Sequence, residues 1–222
     1  MKVFISYSSK QENVAKKIKD LFNNIDISSF LANDDIRTAE DWKARIVEEL
    51  QKCQIIIPIL SKEFKESDWC SQELGIFFFQ KKDILPISVD GTNSYGFINH
   101  IQSKAIKSRF QNDMSLELIV SEGLMEIIPN CAGFIYLLKK LEFGFKIADK
   151  IFATLEPFFD RLNKEDLNSI IEISIKNGQI WSAAECSNKH LPKLLELRKD
   201  DIDAVLREKI EYQIKNNKLY PN

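Results

Sequence analysis

The run Ile55-Ile56-Ile57-Pro58-Ile59-Leu60 is apolar at six successive positions. A strand with one solvated face alternates apolar and polar side chains, so an unbroken run belongs to a strand covered on both faces. Such strands are the centre of parallel sheets, whose crossovers lay helices over them. The flanking sequence supplies those crossovers. Val3-Phe4-Ile5 ends in the polar cluster Ser6-Tyr7-Ser8-Ser9, and Ser9 with Glu12 has the spacing of a capping box. Val14, Ile18, Leu21, Phe22 and Ile25 then recur at helical spacing, and Ile27–Leu31 reads as a second strand. Thr38 with Asp41 opens a helix striped by Trp42, Ile46, Leu50 and Cys53. Asp68 to Lys82 reads as a third helix with Leu74, Phe77 and Phe78 inward, and Ile84 to Val89 as a fourth strand. Pro58 cannot donate to a ladder, so it is expected near its strand's end.

The order β-α-β-α-β-α-β with right-handed crossovers predicts an α/β fold, an open parallel sheet with helices on both faces. Ligands of such sheets bind outside the carboxyl ends of the strands. Here those ends are Ser6–Ser9, residues 32–41, Ser61–Asp68 and Asp90–Phe97. From about residue 110 strand signals fade, which divides the chain into residues 1–110 and an α-helical C-terminal region, 111–222. In the latter, a long apolar stretch from Gly133 to Leu162 is broken by Gly144 and by Pro157, which suits a first helical turn. Asn163, Asp166 and Gly178 bracket a helix with Leu167, Ile170, Ile171 and Ile175 inside. Asp200 or Asp201 opens a last helix bearing Ile202, Val205, Leu206 and Ile210.

Charge excludes some functions. Residues 1–110 carry 16 Lys plus Arg against 15 Asp plus Glu, and residues 111–222 carry 15 against 18, so neither half has the basic surplus of a nucleic-acid binder. Cys53, Cys70, Cys131 and Cys186 are far apart and the chain has two His, His100 and His190, so neither a local zinc site nor a secreted disulfide frame is expected. MKVFISYSSK is too short an apolar run for a signal peptide, and no stretch approaches ~18 uninterrupted apolar residues. The expectation is a cytoplasmic protein with no metal and no membrane partner. G-x-G-x-x-G, G-x-x-x-x-G-K-[ST] and G-x-S-x-G are all missing, which argues against a dinucleotide-binding Rossmann enzyme, a P-loop NTPase and an α/β-hydrolase.

What remains is a polar constellation on the strand ends. Val3-Phe4-Ile5-Ser6-Tyr7-Ser8, Asp34-Asp35-Ile36 through Trp42, Ser67-Asp68-Trp69-Cys70-Ser71-Gln72-Glu73-Leu74, Val89-Asp90-Gly91 and Tyr95-Gly96-Phe97 fall in order along the alternating β-α pattern. Together they resemble a bacterial TIR (Toll/interleukin-1 receptor homology) domain over roughly residues 1–110. The resemblance does not extend to the helical half.

It implies a flavodoxin-like sheet. It also implies cleavage of NAD+ between nicotinamide and ribose, as in many bacterial and plant TIR proteins, with NAD+ as substrate and no cofactor. In those enzymes the essential glutamate follows an aromatic by four residues, a pattern that lands on Trp69 and Glu73, one helical turn apart and so on one face. Glu73 is the implied catalytic carboxylate. Ser6, Tyr7, Ser8 and Ser9, together with Asp35, Ile36, Arg37, Trp42 and Trp69, are the implied NAD+ contacts. Each has a plainer reading. Glu73 near a helix start complements the dipole, Trp69 anchors a core, Trp42 is the first rung of an amphipathic stripe, and the serines cap or turn the chain. Tyr95 and Phe97 either stack on a base or pack beneath their loop. The loop after the second strand often contains Pro-Gly in the family, whereas Thr38-Ala39 stand here.

Two functions follow. One is an NAD+ glycohydrolase or ADP-ribose cyclase in bacterial immune or anti-phage signalling, self-associating through TIR–TIR and helical contacts and triggered by assembly or a separate activator. The other is an interaction adaptor without catalysis. Trp69-x-x-x-Glu73 favours the enzyme, since the family's adaptors typically lack that glutamate.

Overall fold

The computed structural model describes residues 1–31, 41–106 and 113–219. Contacts divide the chain into two compact units, Met1–Gly123 and Leu124–Asn222.

The first unit alternates strands and helices as its periodicity predicts. It runs β1 (Lys2–Ser6), α1 (Glu12–Asn24), β2 (Ser28–Leu31), α2 (Trp42–Lys52), β3 (Ile55–Leu60), α3 (Lys62–Glu66), α4 (Asp68–Phe79), β4 (Asp83–Ile84), β5 (Ile87–Ser88), β6 (Lys104–Ala105) and most of α5 (Asp113–Ile127), whose last turn belongs to the second unit. All pairings are parallel, in the order β2-β1-β3-β5-β6 with β4 also on β3. β1 is therefore flanked on both sides, Ile5 beside Leu31 and Ser6 beside Pro58. The chain passes from β1 outward to β2 and then back across β1 to β3. With right-handed crossovers, α1 and α2 cover opposite faces. One face packs Phe4, Phe30, Ile56 and Leu60 with Ile46 and Leu50 of α2 and Leu74 and Phe77 of α4. On β3 the alternate residues Ile55, Ile57 and Ile59 are equally buried, as an all-apolar central strand requires.

Three details depart from the sequence expectation. Pro58 lies fourth of six in β3 rather than at its end. Leu85 and Val89 amides donate to the carbonyls of Ile56 and Leu60, and alternate residues of a parallel strand address the same neighbour, so Pro58 also faces the β4–β5 side. That is where the expected single strand 84–89 is interrupted at Leu85-Pro86, leaving β4 and β5 as two short pieces. The missing donor therefore falls where pairing between β3 and the β4–β5 segment is already interrupted. The expected capping box at Ser9 does not form, because Ser9–Gln11 is a 3-10 turn whose Gln11 amide bonds the Ser8 carbonyl. The third helix stops at Phe79, three residues early, and Lys81 takes a φ of 54°.

In the second unit α6 (Ala132–Lys140), α7 (Phe145–Leu155), α8 (Lys164–Lys176), α9 (Gly178–Ser182), α10 (Leu191–Arg198) and α11 (Ala204–Leu219) bury Phe134, Leu137, Phe152, Ile170, Leu194 and Ile210 among themselves. Asn163 caps α8 as expected, accepting from the Asp166 amide at 2.8 Å. Gly178 falls just past the end of α8, as expected, and also starts α9, capped by Asn177. The last helix is opened by Asp203 rather than Asp200 or Asp201, which lie in a preceding 3-10 turn. Val205 is exposed rather than interior, and Ile214 joins Ile210 in the buried stripe. Among the described residues, no helix is long and apolar enough to cross a membrane.

Candidate active site

The carboxyl ends of the central strands are tied together by short polar links. Gln11 Oε1 accepts from Ser61 Oγ at 3.1 Å and from Ser8 Oγ, joining the ends of β1 and β3. Asp90 accepts from the Lys62 amide at 3.0 Å and the Thr92 amide at 2.9 Å, joining the ends of β3 and β5. These bonds fix the rim on which the site sits.

Glu73 comes to that rim on α4. The helix starts where Ser67 Oγ accepts the Cys70 amide at 3.3 Å, and Cys70, Leu74 and Phe77 turn inward beneath it. Glu73 lies on that inward side, at 5% exposure, against the end of β1. Ser6 Oγ donates to Glu73 Oε2 at 2.5 Å. No salt bridge to Glu73 forms among the described residues. Burial disfavours the ionised form and pushes the carboxyl up to about 7, against the pull of the Ser6 hydroxyl and the Trp69 indole N–H. The indole acts on the carboxylate without hydrogen-bond geometry, so Trp69 Nε1 has no formed bond.

Trp69, one turn before Glu73, packs against Trp42 edge-to-face with centroids 4.8 Å apart. Asp41 caps α2 through the Lys43 and Ala44 amides, which sets Trp42 as its first residue. Ile46, Leu50 and Cys53 carry the buried stripe, whereas Trp42 stays 46% exposed, on the rim rather than in the core. Trp42→Ala is expected to cost about 1 kcal/mol of stability, the size of an aromatic pair beyond its area. Denaturant unfolding followed by tryptophan fluorescence measures it, and an unchanged midpoint would show that the pair contributes nothing.

The other sequence candidates divide. Ser6 is buried, with its hydroxyl engaged by Glu73, and Ser8 is engaged by Gln11. Tyr7 is half-buried, with its carbonyl accepting the Cys70 thiol at 3.6 Å, and Ser9 is exposed. Tyr95 is half-buried, its hydroxyl 3.2 Å from Ser71 Oγ on α4, while Phe97 is exposed and stacked on Phe78 at 5.3 Å. Asp35, Ile36 and Arg37 lie outside the described residues. Cys70 is the site neighbour that sequence reasoning passes over. Its position three residues before Glu73 is the available signal, since that spacing puts both on one helix face. Burial above all pushes its thiol up to about 11, so it is no nucleophile at neutral pH. Among the described residues no three His, Cys, Asp or Glu side chains gather into a group able to hold a metal.

A family model described as "TIR domain" matches residues 3–118. Over 90 residues the chain is 27% identical to a probable 2′ cyclic ADP-D-ribose synthase, BdTIR, of Brachypodium distachyon, covering 40% of each protein. The chain thus spans less than half the length of that relative. A crystal structure of the TIR domain of the Toll-related receptor TRR-2 from Hydra magnipapillata aligns with 48% of this chain and 85% of its own, at 18% identity and a TM-score of 0.44.

Proposed function

The chain belongs to the TIR-domain family, and from that premise we propose that it cleaves NAD+ between nicotinamide and ribose, with Glu73 as the catalytic carboxylate. The observation that carries the reading is the buried Glu73 carboxyl at the end of β1, one helical turn beyond a tryptophan that packs on Trp42. The synthase name of the Brachypodium distachyon relative supports the same substrate class.

The chemistry asks little of the protein. Nicotinamide departs as a neutral molecule from a cationic pyridinium, so no general acid is needed. Charge develops on the ribose as the bond breaks, in an oxocarbenium-like transition state. A carboxylate in a water-poor pocket stabilises that charge far better than one in bulk solvent. Glu73 supplies it, holding the ribose hydroxyls in the same contact. Trp69 and Trp42 offer aromatic faces to the rings of the dinucleotide. Water reaching the ribose carbon yields ADP-ribose, and attack by another part of the same molecule yields a cyclic product.

The reaction needs the ionised carboxylate, so the rate should fall on the acid side of about 7, the value to which burial raises Glu73. Incubating the purified chain with NAD+ on both sides of that pH, with chromatography of nicotinamide and of the ADP-ribose product, tests the reading. Free nicotinamide rising with pH through this range is expected. Intact NAD+ at every pH and at high protein concentration would leave the adaptor reading in its place.

A further inference from the structure

We propose that Ser6 is a positioning residue, whose hydroxyl fixes the Glu73 carboxylate through Oε2 and leaves Oε1 for the substrate. This rests on the NAD+-cleaving reading above.

Ser6 is the last residue of β1, a strand held by neighbours on both sides, with Ile5 beside Leu31 and Ser6 itself beside Pro58. Its backbone is therefore among the most constrained at the rim, and a hydroxyl carried on it starts from a fixed point. At 1% exposure Ser6 has no surface to present to a ligand. A serine has one proton to donate, and here it goes to Glu73. The glutamate needs such an anchor. Its side chain has three rotatable bonds, and no salt bridge holds it among the described residues. Trp69 influences the carboxylate without forming a bond to it, which leaves the Ser6 hydroxyl as the contact that orients it. Cys70 is the other titratable side chain against this cluster, and its thiol stays protonated up to about 11, well clear of the range in which Glu73 ionises.

The test uses the full chain with Ser6→Ala and Ser6→Thr, read by nicotinamide release and by the titration of an isotope-labelled Glu73 side-chain carboxyl in NMR. Ser6→Ala should lower kcat about 10-fold at the alkaline plateau while KM stays within about two-fold, the signature of a group acting in the transition state. Its acid limb and its carboxyl titration should both move up by about one pH unit, since a hydrogen bond to the charged form is lost. Ser6→Thr, which keeps the hydroxyl, should recover most of kcat. If Ser6→Ala does not fold, Ser6→Cys takes its place, because a thiol donates more weakly and should give the same changes at smaller size. Unchanged kcat with an unchanged carboxyl titration would overturn the proposal. A raised KM at constant kcat would do so too, because it would make Ser6 a substrate contact. If the wild-type chain releases no nicotinamide, the functional reading fails, and the carboxyl titration still decides whether Ser6 holds Glu73.

Discussion

Glu73→Gln is expected to reduce nicotinamide release at least ~100-fold, the loss that follows removal of one preorganised electrostatic group. Glutamine has the shape of glutamate and can still accept from Ser6 Oγ, so packing on β1 survives and charge is the property removed. At 1.36 kcal/mol per factor of ten, that loss corresponds to about 2.7 kcal/mol of transition-state stabilisation. The comparison should be made at a pH above about 7, where the wild-type carboxyl is ionised. KM should change little, because the neutral amide keeps the ground-state contacts. A variant turning over NAD+ within a few-fold of wild type would remove Glu73 from the mechanism.

The same substitution should stabilise the fold. Glu73 ionises at about 7 in the folded chain against an ordinary 4.5. Below 4.5 both folded and unfolded chains hold the proton, and ionisation makes no difference between them. From 4.5 upward the unfolded chain releases its proton while the folded chain keeps it, so stability falls with rising pH until about 7 and is then level. The gap of about 2.5 pH units between those values corresponds to roughly 3 kcal/mol, the cost above pH 7 of holding a buried anion. Glu73→Gln removes that cost. Denaturant titrations should show variant and wild type alike near pH 4.5 and the variant more stable by up to roughly 3 kcal/mol above pH 7. Equal stability at both pH values would mean that the folded environment does not oppose ionisation. Loss of function with gain of stability in one residue is the pattern expected where a fold carries strain for its chemistry.

Much of this organisation is legible in the sequence because it is local. The unbroken run 55–60 and the helical spacing of Val14 through Ile25 each announce an element within one stretch of chain. The Trp69-x-x-x-Glu73 spacing likewise puts both residues on one turn of helix by helical periodicity alone. Features that depend on distant partners are not legible. Pro58 is tolerated in mid-strand because Leu85-Pro86 leaves a gap opposite it, nearly thirty residues away. Ser6 and Glu73 are 67 residues apart, and nothing near either one announces that a hydroxyl meets a carboxyl there. Small choices between competing caps are also beyond the pattern. Ser9 with Glu12 has the right spacing, yet the chain tightens into a 3-10 turn, and Asp203 rather than Asp200 or Asp201 opens the last helix. Which face of that helix packs is likewise set by distant partners, and it leaves Val205 on the surface while Ile210 and Ile214 are buried.

The thiol of Cys70 has a bearing on how such a site withstands oxidants. Thiolates attack peroxides and disulfides, and a thiol that ionises at about 11 holds about one part in ten thousand as thiolate at neutral pH. Cys53, Cys131 and Cys186 are likewise buried and free, each with its thiol pushed upward by burial. The group proposed to do the chemistry is a carboxylate, which has no accessible redox states. On the proposed function, a crevice built this way would keep working under oxidants that silence a cysteine-dependent enzyme, and its expected output would follow the supply of dinucleotide and not the redox poise around it.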